Sequence, residues 1–277
     1  MKADLLSIEG TKVKSIDLPN QFNEEVREDI IKRAFLAFES RKRQPYGAYK
    51  LAGKRAAVRL SKRRHHYKGS YGRGISRSPR KTIVRRGSQF IWVGAFAPNT
   101  VGGRRAHPPK SEKILERGIN KKENTKGIRS AIAATVNKEL VKKHGYITSN
   151  IPLVIEEKLE LINKTKDLKK VLEKLELKED IKRIKKKVRE GRGRLRGRKY
   201  RTSKGPLIVV SKDCPLMKAV KNLHGFDASV VDSLNVGLLA PGSIPGRLVI
   251  WTFPALTRLE KEKLFTNQRT NKKDKRE

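Results

Sequence analysis

Apolar and polar positions along the chain divide it into regular stretches and one long irregular one. Lys2–Ile8 and Val13–Asp17 read as short strands around a turn at Glu9-Gly10. Val26, Ile30, Ile31, Ala34 and Phe38 recur at helical spacing, which predicts a helix over 24–40, with Asn23 as its cap and Glu24 and Glu25 at its positive end. Ile128, Ile132, Val136 and Leu140 predict a second helix over 121–142. There Asn120 and Glu123 resemble a capping box, and Gly145 supplies the stop.

Beyond residue 150 short apolar runs alternate with helical patterns. The runs are Leu153–Ile155, Leu207–Val210, Ser229–Val231 and Leu248–Trp251. Leu168, Val171, Leu172 and Leu175 mark one intervening helix, and Pro254–Leu264 forms another. Short runs that are apolar throughout belong to strands covered on both faces. The expected architecture is therefore an α/β, three-layer domain: a mostly parallel sheet flanked by helices, without internal repeats. Pro241-Gly242 and Pro245-Gly246 predict tight turns before the last strand.

The pattern fails between residues 41 and 110, where only Phe90-Ile91-Trp92-Val93 breaks a run with no sustained period. Charge explains why. The chain has 277 residues and a net charge of +39; residues 41–110 carry 20 Lys and Arg, nine Gly and no Asp or Glu. A second basic window, 182–204, carries 13 Lys and Arg against Glu190 alone. Outside these windows 34 basic residues face 27 acidic ones, the balance of an ordinary globular body. The expected organisation is a body of 1–40 and 111–265, an extended loop of 41–110, a basic insertion of 182–204 and a charged tail of 266–277. Such a loop cannot bury a core and repels itself, so it is expected to order against a polyanion.

The second window follows a short amphipathic pattern at Ile181, Ile184 and Val188. Arg192, Arg194, Arg196 and Arg198 then alternate with Gly and Leu and lead into Lys199 and Arg201. Extended backbone would send several of these side chains to one side.

Motifs for catalysis are missing. There is no phosphate-binding P-loop, no G-x-S-x-G elbow, and Arg77 and Arg196 stand where a dinucleotide site needs its third Gly. Asp213 and Glu156-Glu157 follow strands but read as loop caps. Cys214 has no activating base and reads as structural; one Cys also excludes a disulfide framework. His65-His66 lies among cations, which opposes a metal site. No enzyme activity and no cofactor is expected, beyond Mg2+ that accompanies RNA. No apolar run approaches the length of a membrane helix, and Met1-Lys2-Ala3-Asp4 suggests no secretory leader. A soluble intracellular protein is expected, with no membrane partner.

Rings interleave with the charge at Tyr46, Tyr49, Tyr67, Tyr71, Phe90, Trp92 and Phe96. Cations neutralise phosphates while rings stack on unpaired bases, so the loop reads as nucleic-acid binding, with RNA favoured over DNA by its flexible, Gly-rich, Arg-dense character. A regulatory nucleic-acid-binding protein outside any large particle would use the same loop.

Specific residues add a resemblance. Val101-Gly102-Gly103-Arg104-Arg105-Ala106-His107-Pro108-Pro109-Lys110 resembles a signature of the archaeal form of the large-subunit ribosomal protein L-four family. So do Asn235 with Leu239-Ala240-Pro241-Gly242, Pro245-Gly246-Arg247-Leu248 and Ile250-Trp251-Thr252, and Arg192–Arg201 with Lys204-Gly205-Pro206-Leu207. The resemblance implies an α/β body and a long loop threaded through large-subunit rRNA. It implies a cytoplasmic place in the large subunit, with the loop tip at the constriction of the polypeptide exit tunnel beside ribosomal protein L-twenty-two and the nascent chain. Carried onto this chain, the tip falls at Tyr71, Arg73, Arg77, Arg80, Arg85 and Arg86. Lys62, Arg63, Arg64, His65, His66, Tyr67 and Lys68 are expected on RNA on the way in, Arg104, Arg105 and His107 on the way out. Arg192, Arg194, Arg196, Arg198, Lys199 and Arg201 form the second RNA-binding set. Around Ile83–Phe96 the chain departs from the family's familiar pattern.

Overall fold

A computed structural model describes residues 1–266, apart from 56, 57, 59, 62, 67, 68, 88 and 149. It contains two compact units: residues 1–42 with 116 onward, and residues 43–115.

In the first unit, β1 (Lys2–Leu6) and β2 (Lys12–Asp17) form an antiparallel pair. Helix α1 (Glu28–Arg41) follows. The second unit contributes β3 (Arg80–Arg86) and β4 (Gln89–Gly94). The chain then continues with α2 (Lys121–Ala134), α3 (Lys138–Lys143), β5 (Leu153–Ile155), α4 (Thr165–Lys174) and α5 (Lys178–Arg183). Next come β6 (Lys186–Val188), the single turn α6 (Arg192–Leu195), β7 (Tyr200–Thr202) and β8 (Leu207–Val210). The order closes with α7 (Pro215–Lys221), β9 (Asp227–Val230), α8 (Val236–Leu239), β10 (Val249–Thr252) and α9 (Phe253–Lys261).

The main sheet has strand order β2-β1-β5-β10-β8-β9, parallel throughout except for β1 with β2. Its central strands are apolar on both faces because both faces are covered. Leu207, Val209, Val249 and Trp251 join a cluster with Ile31 and Ala34 of α1, Ile128 and Ile132 of α2, and Leu256 and Leu259 of α9. Ile208, Val210, Leu153, Ile155 and Ile250 join the opposite cluster with Val141 of α3, Leu168 and Leu172 of α4, and Leu216 and Val220 of α7. This is the three-layer α/β architecture that the alternation predicts.

Two helix boundaries differ from expectation. Asn23 is not the cap of α1; it lies in a short 3-10 turn, and α1 begins at Glu28. The intervening residues are pinned in extended form against α2: the Arg27 amide donates to Ser130 Oγ at 2.6 Å, Ser130 Oγ donates to the Glu25 carbonyl at 3.0 Å, and Arg129 pairs with Glu24 at 2.9 Å. The expected helix over 121–142 is two helices. Asn137 caps α3, its side chain accepting from the amides of Glu139 and Leu140, while Asn120 makes no capping hydrogen bond. An internal capping signal outweighs an unbroken apolar spacing here. Gly145 follows α3 with φ +82°, a conformation that side chains resist.

Candidate nucleic-acid interface

The window expected to have no regular element beyond Phe90–Val93 contains a β-hairpin. Strands β3 and β4 pair with Thr82 opposite Trp92 and Arg85 opposite Phe90, with a bulge between Thr82 and Val84. The Thr82 hydroxyl accepts from Trp92 Nε1 at 3.2 Å, and the Phe90 and Trp92 rings stack with centroids 5.9 Å apart. Charged residues on β3 hide the alternation that would have predicted this strand.

Cations and rings meet repeatedly in this unit. The guanidinium groups of Arg64 and Arg77 each lie 5.5 Å from the Tyr71 ring centroid. Arg73 lies 5.3 Å from the Trp92 ring and Arg85 5.7 Å from Phe90. Arg55 lies over Tyr49 and donates to its hydroxyl at 2.9 Å. These contacts orient guanidinium groups without neutralising them. Arg80 is turned inward, donating to the Ser76 carbonyl at 2.6 Å and to Ser76 Oγ at 3.1 Å.

The remaining residues of the inbound and outbound sets are distributed as follows. Arg63, Arg64, His65 and His66 are exposed, and His65 has φ +58°. Arg105 and His107 are exposed as well, as is Arg86 of the tip set. Arg104 is half-buried; its Nε lies out of solvent without a hydrogen-bond partner, while Nη1 reaches the Arg105 carbonyl at 3.5 Å. Lys62, Tyr67 and Lys68 lie outside the described residues.

Energetically this unit lacks the makings of an independent domain. Among its described residues the buried apolar side chains are Ala95 and Ala97, whereas Tyr46, Leu51, Ile83, Ile91, Val93 and Phe96 are exposed. Its one acidic residue, Glu112, pairs with Lys50 at 2.5 Å. Among its described residues this unit therefore buries little apolar surface and neutralises little of its positive charge.

The second basic window also forms a hairpin. β6 pairs antiparallel with β7, Lys186 opposite Thr202 and Val188 opposite Tyr200. The Arg-rich centre is not extended: Arg192–Leu195 form a helical turn, held by amide hydrogen bonds from Arg194 to Gly191 and from Arg196 and Arg198 to Gly193. Gly191 (φ +74°) and Gly197 (φ +75°) permit this reversal at either side. Arg192, Arg194, Arg196, Arg198, Lys199 and Arg201 are all exposed, and Lys186 and Lys199 lie 4.1 and 5.5 Å from the Tyr200 ring.

The root of this hairpin is fixed by a residue that spacing alone does not assign a role. Arg247 is buried and donates to the carbonyls of Gly205 at 2.7 Å and Leu238 at 2.8 Å; it also pairs with Asp227 at 2.7 Å. Lys204, the last residue of the basic window, reaches the same carboxylate at 2.9 Å. Burial disfavours the charge on Asp227, but the hydrogen bond from Lys204 and the attraction of Arg247 outweigh it and hold the carboxyl below its ordinary range.

The carboxyl ends of the sheet strands, where α/β proteins commonly hold ligands, are filled from within. Glu160, buried after β5, accepts from the Ser211 amide and hydroxyl at 2.8 Å each and from the Thr252 hydroxyl at 2.6 Å. Glu156 accepts from the Ile8 amide at 3.2 Å. Burial pushes the Cys214 thiol up, away from the reactive thiolate. Among the described residues no group of three His, Cys, Asp or Glu side chains is placed to hold a metal ion, and no helix is long and apolar enough to cross a membrane.

Comparison with known proteins agrees with this distribution of charge around a filled fold. The model of the ribosomal protein L4/L1 family matches residues 16–262. The chain belongs to that family. It is a family of ribosomal structural proteins and not of enzymes. Among the similar relatives, the large ribosomal subunit protein uL4 of Nanoarchaeum equitans is 48% identical over 268 residues, covering 96% of this chain and all of the relative. The uL4 proteins of Methanocaldococcus jannaschii and Archaeoglobus fulgidus are 44% and 45% identical, each match covering 94% of this chain and 98% of the relative. The archaeal-type resemblance read from residues 101–110, 192–207 and 235–252 is thus a family relationship spanning nearly the whole chain.

Proposed function

We propose that this L4/L1-family chain is an architectural component of the large ribosomal subunit in the cytoplasm, binding large-subunit rRNA through residues 43–115 and 182–204. The observation that carries the reading is the pairing of a self-sufficient α/β body with two basic hairpin segments. One of those segments, 43–115, has scarcely any apolar interior among its described residues. The relatives' names, large ribosomal subunit proteins uL4, point the same way.

In this reading Lys and Arg pair with phosphates and release counterions, and exposed rings stack on splayed bases. The inbound set from Lys62 to Lys68, the outbound Arg104, Arg105 and His107, and the Arg192–Arg201 set are the RNA contacts. Mg2+ enters as a counterion of the RNA and not at a protein site. Tyr71, Arg73, Arg77, Arg80, Arg85 and Arg86 line the constriction of the exit tunnel, beside ribosomal protein L-twenty-two and the passing nascent chain. Arg80, turned onto Ser76, then shapes the tip while the other arginines present charge and Tyr71 a ring.

Footprinting at matched salt tests the reading: the chain is bound to purified large-subunit rRNA and to duplex DNA of equal length. Discrete rRNA protections and weak, uniform DNA binding are expected. Equal affinity for both, without discrete protections, overturns the assignment.

A further inference from the structure

At the apex of the second basic hairpin stands a large apolar side chain with nothing against it. Leu195 is 88% exposed, although it belongs to an ordered turn. Arg192, Arg194, Arg196 and Arg198 surround it in sequence, and the glycines at 191 and 197 leave open space where a side chain would stand. The apex is held in shape by the amide hydrogen bonds of Arg194, Arg196 and Arg198. Tyr200, the one aromatic residue in the sequence of this window, has Lys186 and Lys199 against its ring. Leu195 has no such neighbour to explain its exposure.

A solvent-exposed Leu on an ordered turn, flanked in sequence by four exposed arginines, matches a device of proteins that kink DNA. Cations bind the backbone on either side while an apolar wedge enters between bases and replaces their stacking. We infer that Leu195 is such a wedge, inserted at an unpaired or weakly stacked base step of RNA, with the flanking arginines on the adjoining phosphates. The inference rests on the proposed RNA binding of residues 182–204. A protein occupant is disfavoured by charge, since four arginines within seven residues would demand a densely acidic surface around a small apolar socket.

The wedge and the arginines contribute differently, which separates the two claims. Arginine contacts set the salt dependence, whereas apolar burial is nearly insensitive to salt. The experiment measures binding of the full chain to purified large-subunit rRNA across a salt series, with chemical probing of nucleotide flexibility. Leu195→Ala is expected to weaken binding by roughly tenfold at every salt concentration, leaving the slope unchanged. Leu195→Met is expected to retain binding, and the base step perturbed by the wild type should return to its free reactivity with Leu195→Ala. The double variant R192A/R194A is expected to flatten the slope of log K against log salt by about 1.5 to 2. If R192A/R194A flattens the slope while Leu195→Ala binds like the wild type, the wedge is overturned and the RNA reading stands. If neither variant changes binding, RNA binding by this segment is overturned, and the wedge with it. Unchanged rRNA affinity but lost retention of Leu195→Ala in salt-washed subunits would assign Leu195 to a protein partner and overturn the wedge.

Discussion

The Arg247 guanidinium, 1% exposed, lies 2.7 Å from the Asp227 carboxylate, and this pair joins the sheet to the root of the second basic hairpin. Asp227 opens β9, Arg247 lies two residues before β10, the last strand, and Lys204 of the hairpin root shares the carboxylate. A buried charge is tolerated only while its partners remain. Asp227→Asn, which leaves the guanidinium with carbonyls alone, is expected to lower unfolding stability by roughly 3 kcal/mol in urea denaturation. Adding Arg247→Met to that variant should restore part of the loss, since the uncompensated charge is gone.

The same carboxylate predicts an acid limb. Its pKa in the folded protein lies below the ordinary aspartate value of 3.8. Its contribution to stability is therefore fully present above that value and fades as pH falls through the lower folded-state value. Thermal melts between pH 6 and pH 2 should show a steeper loss of stability below pH 4 for the wild type than for Asp227→Asn. Parallel curves would place the acid sensitivity elsewhere.

Much of this fold is legible in the sequence because burial on both faces writes a continuous apolar run. Leu153–Ile155, Leu207–Val210 and Val249–Trp251 announce their strands directly. What escapes is decided by partners distant in sequence or masked by charge. Ser130 fixes the start of α1 from another helix, and cations on β3 conceal a hairpin. The Arg-Gly alternation suggests extension at 192–198, yet glycines with positive φ close a turn there. For the candidate interface, the concentration of charge was readable; the approach of both Arg64 and Arg77 to the Tyr71 ring was not, because it depends on chain reversals that spacing does not encode.

Glu160 offers a test of the filled sheet end. Thr252→Val removes one donor and leaves a buried carboxylate oxygen with fewer partners, a change expected to cost about 1 to 3 kcal/mol in chemical denaturation. Glu160→Leu should cost more, since the Ser211 amide and hydroxyl lose their acceptor together. A neutral result for both would show that the cluster does not hold the strand ends together.

Deletion of residues 60–100 separates body from basic unit. The main sheet and both apolar clusters lie outside that range, so far-UV circular dichroism should retain the helical signal and cooperative unfolding should persist. Binding to rRNA should weaken and its salt dependence should flatten. Loss of cooperative unfolding would mean that the basic unit belongs to the core.

The central claim is that a self-sufficient α/β body carries two segments whose uncompensated charge is completed by RNA. A density map of the native large subunit at side-chain resolution tests it most directly. The account predicts residues 43–115 and the Lys186–Thr202 hairpin enclosed by rRNA, with the guanidinium groups of Arg192, Arg194, Arg196 and Arg198 on phosphates. Those two segments facing solvent, with the sheet body buried in RNA instead, would contradict it.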